Sequence, residues 1–256
     1  MNASYAPDRL ELMAVPGIPM VETGDNLADL IGQALESNGL VLQDDDVLVV
    51  AQKIVSKTEG RLVRLSDVTP SEEACVRAND TGKDPRLVEL MLGESRQVLR
   101  ERQGLLIVEH RLGLVMANAG VDQSNVDTGC ALLLPEDPDR SARVLRRALR
   151  DLTGADVGII ISDSIGRAWR NGTIGHSIGS AGILPLADLR GAIDVFDRPL
   201  QSTEVAIADE IAAAASLIMG QASEAKPVVL VRGFGPLHST LDSRALLRPR
   251  EQDMFR

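Results

Sequence analysis

At 256 residues, with 44% hydrophobic and 25% charged side chains, the chain has the composition of a soluble globular protein and is long enough for one large domain or two smaller ones. A formal net charge of −10 and a sequence pI of about 4.9 exclude a general nucleic-acid binder, which needs a basic face, though not a local basic pocket for a nucleotide. No run approaches the ~18 apolar residues that span a bilayer, the first residues lack the pattern of a signal peptide, and Cys75 and Cys130 have neither metal-ligand spacing nor a disulfide framework, so a reduced, cytoplasmic protein is expected.

Leu10 to Val15 reads as a first strand, and Pro16-Gly17-Ile18-Pro19 as a rigid connector. Gly24-Asp25-Asn26 caps a helix whose apolar face is Leu27, Leu30, Ile31, Ala34 and Leu35 and which Gly39 ends. Asp46 to Ala51 is a buried strand. If it continues, Lys53 and Lys57 lie on one face and suit phosphate contacts; edge lysines guarding against aggregation would look the same. Residues 66–82 read as a loop and a short helix. Asp84-Pro85 opens a helix to about Arg102, with Leu87, Leu90, Met91, Val98 and Leu99 facing in. Gly104 to Glu109 and Leu112 to Ala117 read as a hairpin turning at His110-Arg111, which leaves His110 exposed.

The stretch Gly113 to Asn125 passes from an apolar strand through Gly120 to Asp122, Ser124 and Asn125. Ser141 caps a basic amphipathic helix with Val144, Leu145, Ala148, Leu149 and Leu152 inward, ending at Gly154. Asp156 to Ser162 is again a buried strand, and it runs into Asp163-Ser164, Arg167 and Arg170. Gly172 to Gly182, rich in glycine and serine and containing His176, reads as a loop whose amides can approach a ligand. Thr203 to Met219 is an alanine-rich helix ending at Gly220, followed by a polar turn and a last buried strand, Pro227 to Arg232. The arginine-rich segment beyond Phe234 reads as a loose tail.

Two carboxylates at the ends of two apolar strands, Asp122 and Asp163, can converge on a hard cation such as magnesium or manganese. Asn, Asp, Ser and Gly are also the ordinary residues of a solvated turn, and the recurrence of the design is what favours a site. Lys57 and Arg167 add positive charge suited to a phosphate or carboxylate, which completes an expected catalytic set of Asp122, Asp163, Lys57 and Arg167. Neither a Gly-x4-Gly-Lys-Ser/Thr loop nor a Gly-x-Gly-x-x-Gly after a strand is present. The residues by themselves imply an α+β (mixed α/β) enzyme, built of mixed sheets with flanking helices and no P-loop or Rossmann motif, acting on an anionic substrate. They do not fix the reaction.

Seven segments, in order, carry a resemblance: Val15 to Pro19, Gly24-Asp25, Gln52 to Arg61, Gly113 to Asn125, Ser162 to Gly172, Glu204 to Ala215, and Pro227 to Phe234. Together they resemble the coenzyme F420-0:L-glutamate ligases, or gamma-glutamyl ligases. The resemblance implies a ligase domain over residues 1–234, with room for two subdomains, and an irregular tail over 235–256. It implies GTP-dependent amide formation: phosphorylation of a terminal carboxylate of the deazaflavin F420-0, then attack by the amine of L-glutamate. It implies magnesium or manganese, two ions, with potassium in support. By position, Asp122 and Asp163 match ligands of a first metal, while Ser164 (where the family commonly has Thr) and Gln221 match a second. Ile18, Pro19, Met20, Val21, Gln52, Lys57, Asn125, Met219, Gly220, Gln221, Ala222, Ser223, Glu224, Ala225 and Lys226 match the nucleotide site. Gly172 to Ser177 departs from the family's usual Gly-Gln-Thr-Asp-x-Ala on the acceptor side. Family members are dimers. An intertwined homodimer is expected here too, packed through the alanine-rich helix and with the 172–182 loop at the subunit boundary. Two alternatives fit the same residues: a ligase or kinase acting on another carboxylic acid, and a non-catalytic nucleotide- or metal-binding module.

Overall fold

Three apolar runs are buried on both faces because helices pack above and below them, and that sandwich carries the rest of the molecule. The computed structural model describes residues 7–235 and 238–254. In chain order the first half holds β1 (Glu11–Ala14), α1 (Leu27–Ser37), β2 (Val47–Ala51), α2 (Gln52–Thr58), β3 (Leu62–Arg64), α3 (Glu72–Thr81), α4 (Pro85–Gly93), β4 (Ser95–Arg102), β5 (Leu105–His110) and β6 (Val115–Ala117). The second half holds β7 (Cys130–Leu132), α5 (Pro138–Thr153), β8 (Gly158–Arg167), β9 (Arg170–Ala181), β10 (Ala187–Asp188), β11 (Glu204–Val205), α6 (Ile207–Met219) and β12 (Val228–Arg232).

The central sheet has the order β1-β12-β2-β8-β9. β2 and β8 are parallel, from Val47 opposite Gly158 to Ala51 opposite Ser162, and the other neighbours are antiparallel. On one face Ile31 and Leu35 of α1 and Leu145 and Leu149 of α5 meet Leu48, Ile159, Ile161 and Leu230. On the other, Ile207, Ile211 and Ala212 of α6 meet Val47, Val49, Ile160 and Val231. Burying each such aliphatic side chain stabilises the fold by ~1.5–3 kcal/mol. The architecture is mixed α/β, with mixed sheets and flanking helices, as the sequence implies.

A second sheet, β4-β5-β6, packs on α3 and α4 through Ala74, Val88, Met91, Leu106 and Val108. Two links tie it to the central sheet. Met116 of β6 enters the core beneath α1 and α5. Glu94, just after α4, meets Arg61 at 2.9 Å, Arg111 at 3.0 Å and His110 at 3.5 Å. Burial pushes the Glu94 carboxyl up, but His110, Arg61 and Arg111 outweigh it and hold the pKa at about 2.

Several expectations are corrected. The helix begun at Pro85 stops at Gly93, and Ser95–Arg102 is a strand paired with β5. His110 is fully buried, not exposed, because it ends the inner strand of this sheet. Gln52–Thr58 is a helix, not a continued strand, yet Lys53 and Lys57 still share a face, since residues four apart align on a helix. Asp137, not Ser141, caps α5 by accepting from the Arg140 amide at 2.9 Å, while Val144 and Leu152 point outward. The 203–219 helix starts only at Ile207. The segment after β12 is pinned at Ser243, whose amide donates to buried Asp139 at 2.9 Å and whose Oγ is 2.6 Å from Ser177 Oγ.

The largest correction is the 172–182 segment, which lies almost wholly within β9 and is not a loop. Its glycines serve packing. A Cβ on Gly175 would strike the Ala212 carbonyl of α6, and one on Gly179 would stand 2.5 Å from the Pro138 carbonyl oxygen of α5. Of the alanines of α6, Ala208, Ala212 and Ala215 are buried against the sheet, while Ala213 and Ala214 are half-buried. Gly179→Ala is expected to cost about 1–3 kcal/mol through overpacking, read as a lower midpoint in thermal unfolding. Gly166→Ala, whose added carbon meets open space, should leave the midpoint in place.

Candidate active site

All the polar segments singled out in the sequence except Arg167 emerge along one edge of the central sheet. The Val15 amide donates to the Val228 carbonyl at 2.9 Å, the Ala51 amide to the Pro227 carbonyl at 2.8 Å, and Ala51 pairs with Ser162, which pairs with Ser177. Beyond that row β1 gives way to residues 16–21, β2 to α2, and β8 to Asp163, while the 219–227 turn leads into β12. Ligands of open α/β sheets bind outside the carboxyl ends of parallel strands, and β2 and β8 end here in parallel. β8 and β9 continue past the row as a two-stranded ribbon. A register shift between Ile161 and Ser162 marks its root, the kind of bulge that re-aims side chains.

Asp122 reaches this edge from the second sheet. β6 ends in a left-handed run, Asn118, Ala119 and Gly120, with φ of 54°, 53° and 65°. Ala119 holds this disfavoured conformation while fully buried, and the Asn118 carbonyl oxygen of the side chain accepts from the Leu106 amide at 3.1 Å. Asp122 then exchanges both backbone hydrogen bonds with Leu132 at 3.0 and 2.8 Å. Its carboxylate accepts from the Ser124 amide at 2.7 Å and lies 2.5 Å from Lys53 Nζ. Lys53 also donates to Ser124 Oγ at 2.5 Å, and Lys57, one turn further along α2, donates to the Asn125 carbonyl at 2.9 Å.

The two carboxylates feel each other. Burial pushes the Asp163 pKa up, the Ser164 amide at 2.8 Å opposes this, the negative Asp122 pushes it further up, and Lys53 and His176 pull it back. Burial also pushes Asp122 up, but Lys53 and Ser124 prevail and hold it below the usual carboxylate range. One lysine thus stands against two acids. Ser164 Oγ donates to Gln221 Oε1 at 2.7 Å, which joins the ribbon to the α6–β12 turn. Among the described residues no group of three or more His, Cys, Asp or Glu side chains could hold a metal. Two carboxylates with a hydroxyl and an amide beside them form an all-oxygen donor set, which fits a hard cation that keeps part of its water shell.

The remaining expected residues are distributed as follows. Ile18 and Val21 turn into the core, whereas Pro19 and Met20 are exposed. Gln52 is buried, its Oε1 accepting from Ser56 Oγ at 2.9 Å. Met219 packs against α6's core, Gly220 takes φ 74°, and Gln221, Ala222, Ser223, Glu224, Ala225 and Lys226 are exposed, with Glu224 accepting from the Ala222 amide at 2.8 Å. Arg167 is not brought to the carboxylates. It closes the ribbon hairpin opposite Arg170, four residues and about 13 Å along β8 from Asp163. Sequence reasoning gave no role to Lys53 as the partner of Asp122. The i, i+4 spacing of Lys53 and Lys57 was the available signal, hidden by reading the segment as a strand.

The sequence profile of the F420-0:Gamma-glutamyl ligase family matches residues 17–233. The chain belongs to this family. It is 48% identical over 249 residues to the coenzyme F420:L-glutamate ligase of Methanothermobacter thermautotrophicus, covering 96% of this chain and 99% of that protein. Ligases of the same description from Methanopyrus kandleri and Archaeoglobus fulgidus are 46% and 41% identical, each covering at least 96% of this chain and at least 97% of the relative.

Lys53→Ala in this family member should loosen the 122–125 turn. The Ser124 amide is expected to exchange with deuterium about tenfold faster, the effect of losing a charge-assisted contact of ~1.5 kcal/mol, while amides of β2 keep their protection.

Proposed function

We propose that the protein joins L-glutamate to the deazaflavin F420-0 through a gamma-linked amide, with GTP activating the acid. The observation that carries this is the pairing of Asp122 and Asp163 at the strand-end edge, with Lys53 and Lys57 on one helical face beside them. The family relatives, whose names specify coenzyme F420 and L-glutamate, supply the substrates.

In this reading a carboxylate oxygen of F420-0 attacks the γ-phosphorus of GTP; the bond to the β-phosphate oxygen breaks and GDP leaves. The amine of L-glutamate then attacks the acyl carbon, inorganic phosphate departs, and the nitrogen loses its surplus protons. Asp122, Asp163, Ser164 and Gln221 would hold magnesium or manganese, two ions with potassium in support, and the bound cation would neutralise charge on the transferring phosphoryl group. Lys53 keeps Asp122 ionised and in place. Lys57 spends one donor on the Asn125 carbonyl and has two left for phosphate oxygens. Met20, Pro19 and the 219–226 turn flank the nucleotide, with Lys226 adding charge. No described helix is long and apolar enough to cross a membrane, and the reading takes the protein to act in the cytoplasm.

The enzyme is also proposed to be a homodimer. Between β10 and β11 an arm closed by the Ile193–Pro199 bridge presents Val195 and Phe196, 93% and 74% exposed, an apolar tip that a second copy would cover. The Arg198 guanidinium lies 5.3 Å from the Phe196 ring centre.

Asp122→Asn and Asp163→Asn should each lower amide formation from GTP, L-glutamate and F420-0 by at least about 100-fold at limiting manganese while circular dichroism stays unchanged; near-normal turnover in either would remove the cation site. Light scattering should give twice 27.4 kDa, and Phe196→Asp should shift it toward one chain; a 27.4 kDa wild type would refute the dimer.

A further inference from the structure

A pocket of about 420 Å³ opens beside the paired carboxylates, walled by β9, by the start of α6, by the turn that ends β5 and by the segment after β12. His176 lies in its wall and is the cross-strand partner of Asp163, so pocket and carboxylate are neighbours across one strand pair. The volume is in the lower part of the ~300–1,000 Å³ range of small-molecule sites. Its lining carries both signs of charge, Arg96 and Arg111 as well as Asp209.

Each of these three has hydrogen-bonding capacity to spare. Arg111 gives Nε to Glu94 at 3.0 Å, but one of its terminal nitrogens is buried without a hydrogen-bond partner among the described residues. Among the described residues Arg96 makes one long ion pair, 3.6 Å to Glu109, and its side chain is 60% exposed. Asp209 accepts from the Ser177 amide through one oxygen at 2.8 Å, and its other oxygen has no partner among the described residues. Among the described residues the other charges at this wall have partners, Glu136 only the 3.4 Å contact with Arg61. Asp139 takes two backbone amides, Asp137 caps α5, and Asp242 holds Arg244 in a two-point pair.

We propose that this pocket binds the amino-acid substrate, with Arg96 and Arg111 receiving its carboxylates and Asp209 its ammonium group. A zwitterion with a second acid group matches a wall with two cationic donors and one anionic acceptor, and a ligand held there presents its nitrogen toward the Asp122–Asp163 edge. The assignment rests on the ligase reading for the identity of that amino acid, L-glutamate.

Steady-state ligation by the full chain tests it. Arg96→Ala and Asp209→Asn should each raise KM for L-glutamate about tenfold or more, with KM for GTP and for F420-0 within about twofold of wild type. Arg96→Ala should also erode the preference for L-glutamate over the uncharged isostere L-glutamine by about tenfold. Unchanged glutamate KM in both variants would overturn the proposal. So would a rise confined to KM for F420-0, which would give the pocket to the acid substrate. Calorimetric titration with L-glutamate alone separates the two readings. Binding to wild type that Arg96→Ala weakens supports the pocket even where no ligation occurs, and absent or equal binding overturns it.

Discussion

Two like-charged carboxylates held within reach of each other are unfavourable unless positive charge is set between or beside them, and this constraint shapes the strand-end edge of the molecule. Lys53 supplies one positive charge, 2.5 Å from Asp122. The remaining negative charge, with Asp163 pushed up by burial and by its neighbour, is what an added cation would relieve. The elements around the pair serve to keep it assembled. Asp163 sits where β8 leaves the sheet, fixed by parallel pairing with β2 and by a bulge against β9. Asp122 comes from a different sheet and depends on longer connections: Met116 in the central core, the left-handed turn at Asn118–Gly120, and the Leu132 bridge.

The cluster at Glu94 has a similar logic at a distance from the chemistry. A buried carboxylate surrounded by Arg61, Arg111 and His110 is secure only while all of them are present, since removing one partner leaves charge uncompensated. Arg61 follows α2, whereas Glu94 directly precedes β4 and Arg111 directly follows β5 of the second sheet, so the cluster fixes the spacing between the element carrying Lys53 and the one carrying Asp122. Because Arg111 also lines the proposed amino-acid pocket, one ion-pair network spans from the sheet junction to that pocket.

The sequence was most legible where burial on both faces imposes an unbroken apolar run. β2 and β12 stand within two residues of their expected bounds, as does α1 with its Asn26 cap, whereas β8 starts as expected but runs five residues past Ser162 into the ribbon with β9. Asp163 stood out because it follows such a run, and Asp122 because it follows the short apolar stretch of β6, of which only Met116 is buried. Reading failed where long-range pairing overrode local preference. Ser95–Arg102 is full of helix formers, but its partner β5 makes it a strand, and Gly93 was the stop signal passed over. The glycines of β9 looked like a ligand-binding loop because sequence cannot distinguish a residue small for a ligand from one small for a helix, and only the positions of Ala212 and Pro138 decide it. His110 was misjudged for the same reason, since its burial comes from neighbours far along the chain.

The central claim, that Asp122 and Asp163 form one cation site, is met most directly by a crystal grown with manganese and measured at the manganese absorption edge. An anomalous peak within coordination distance of both carboxylates is expected, at about 2.1–2.2 Å as for hard oxygen-bound cations. A peak bound by only one of them, or none at this edge of the sheet while manganese-dependent turnover persists, would contradict it.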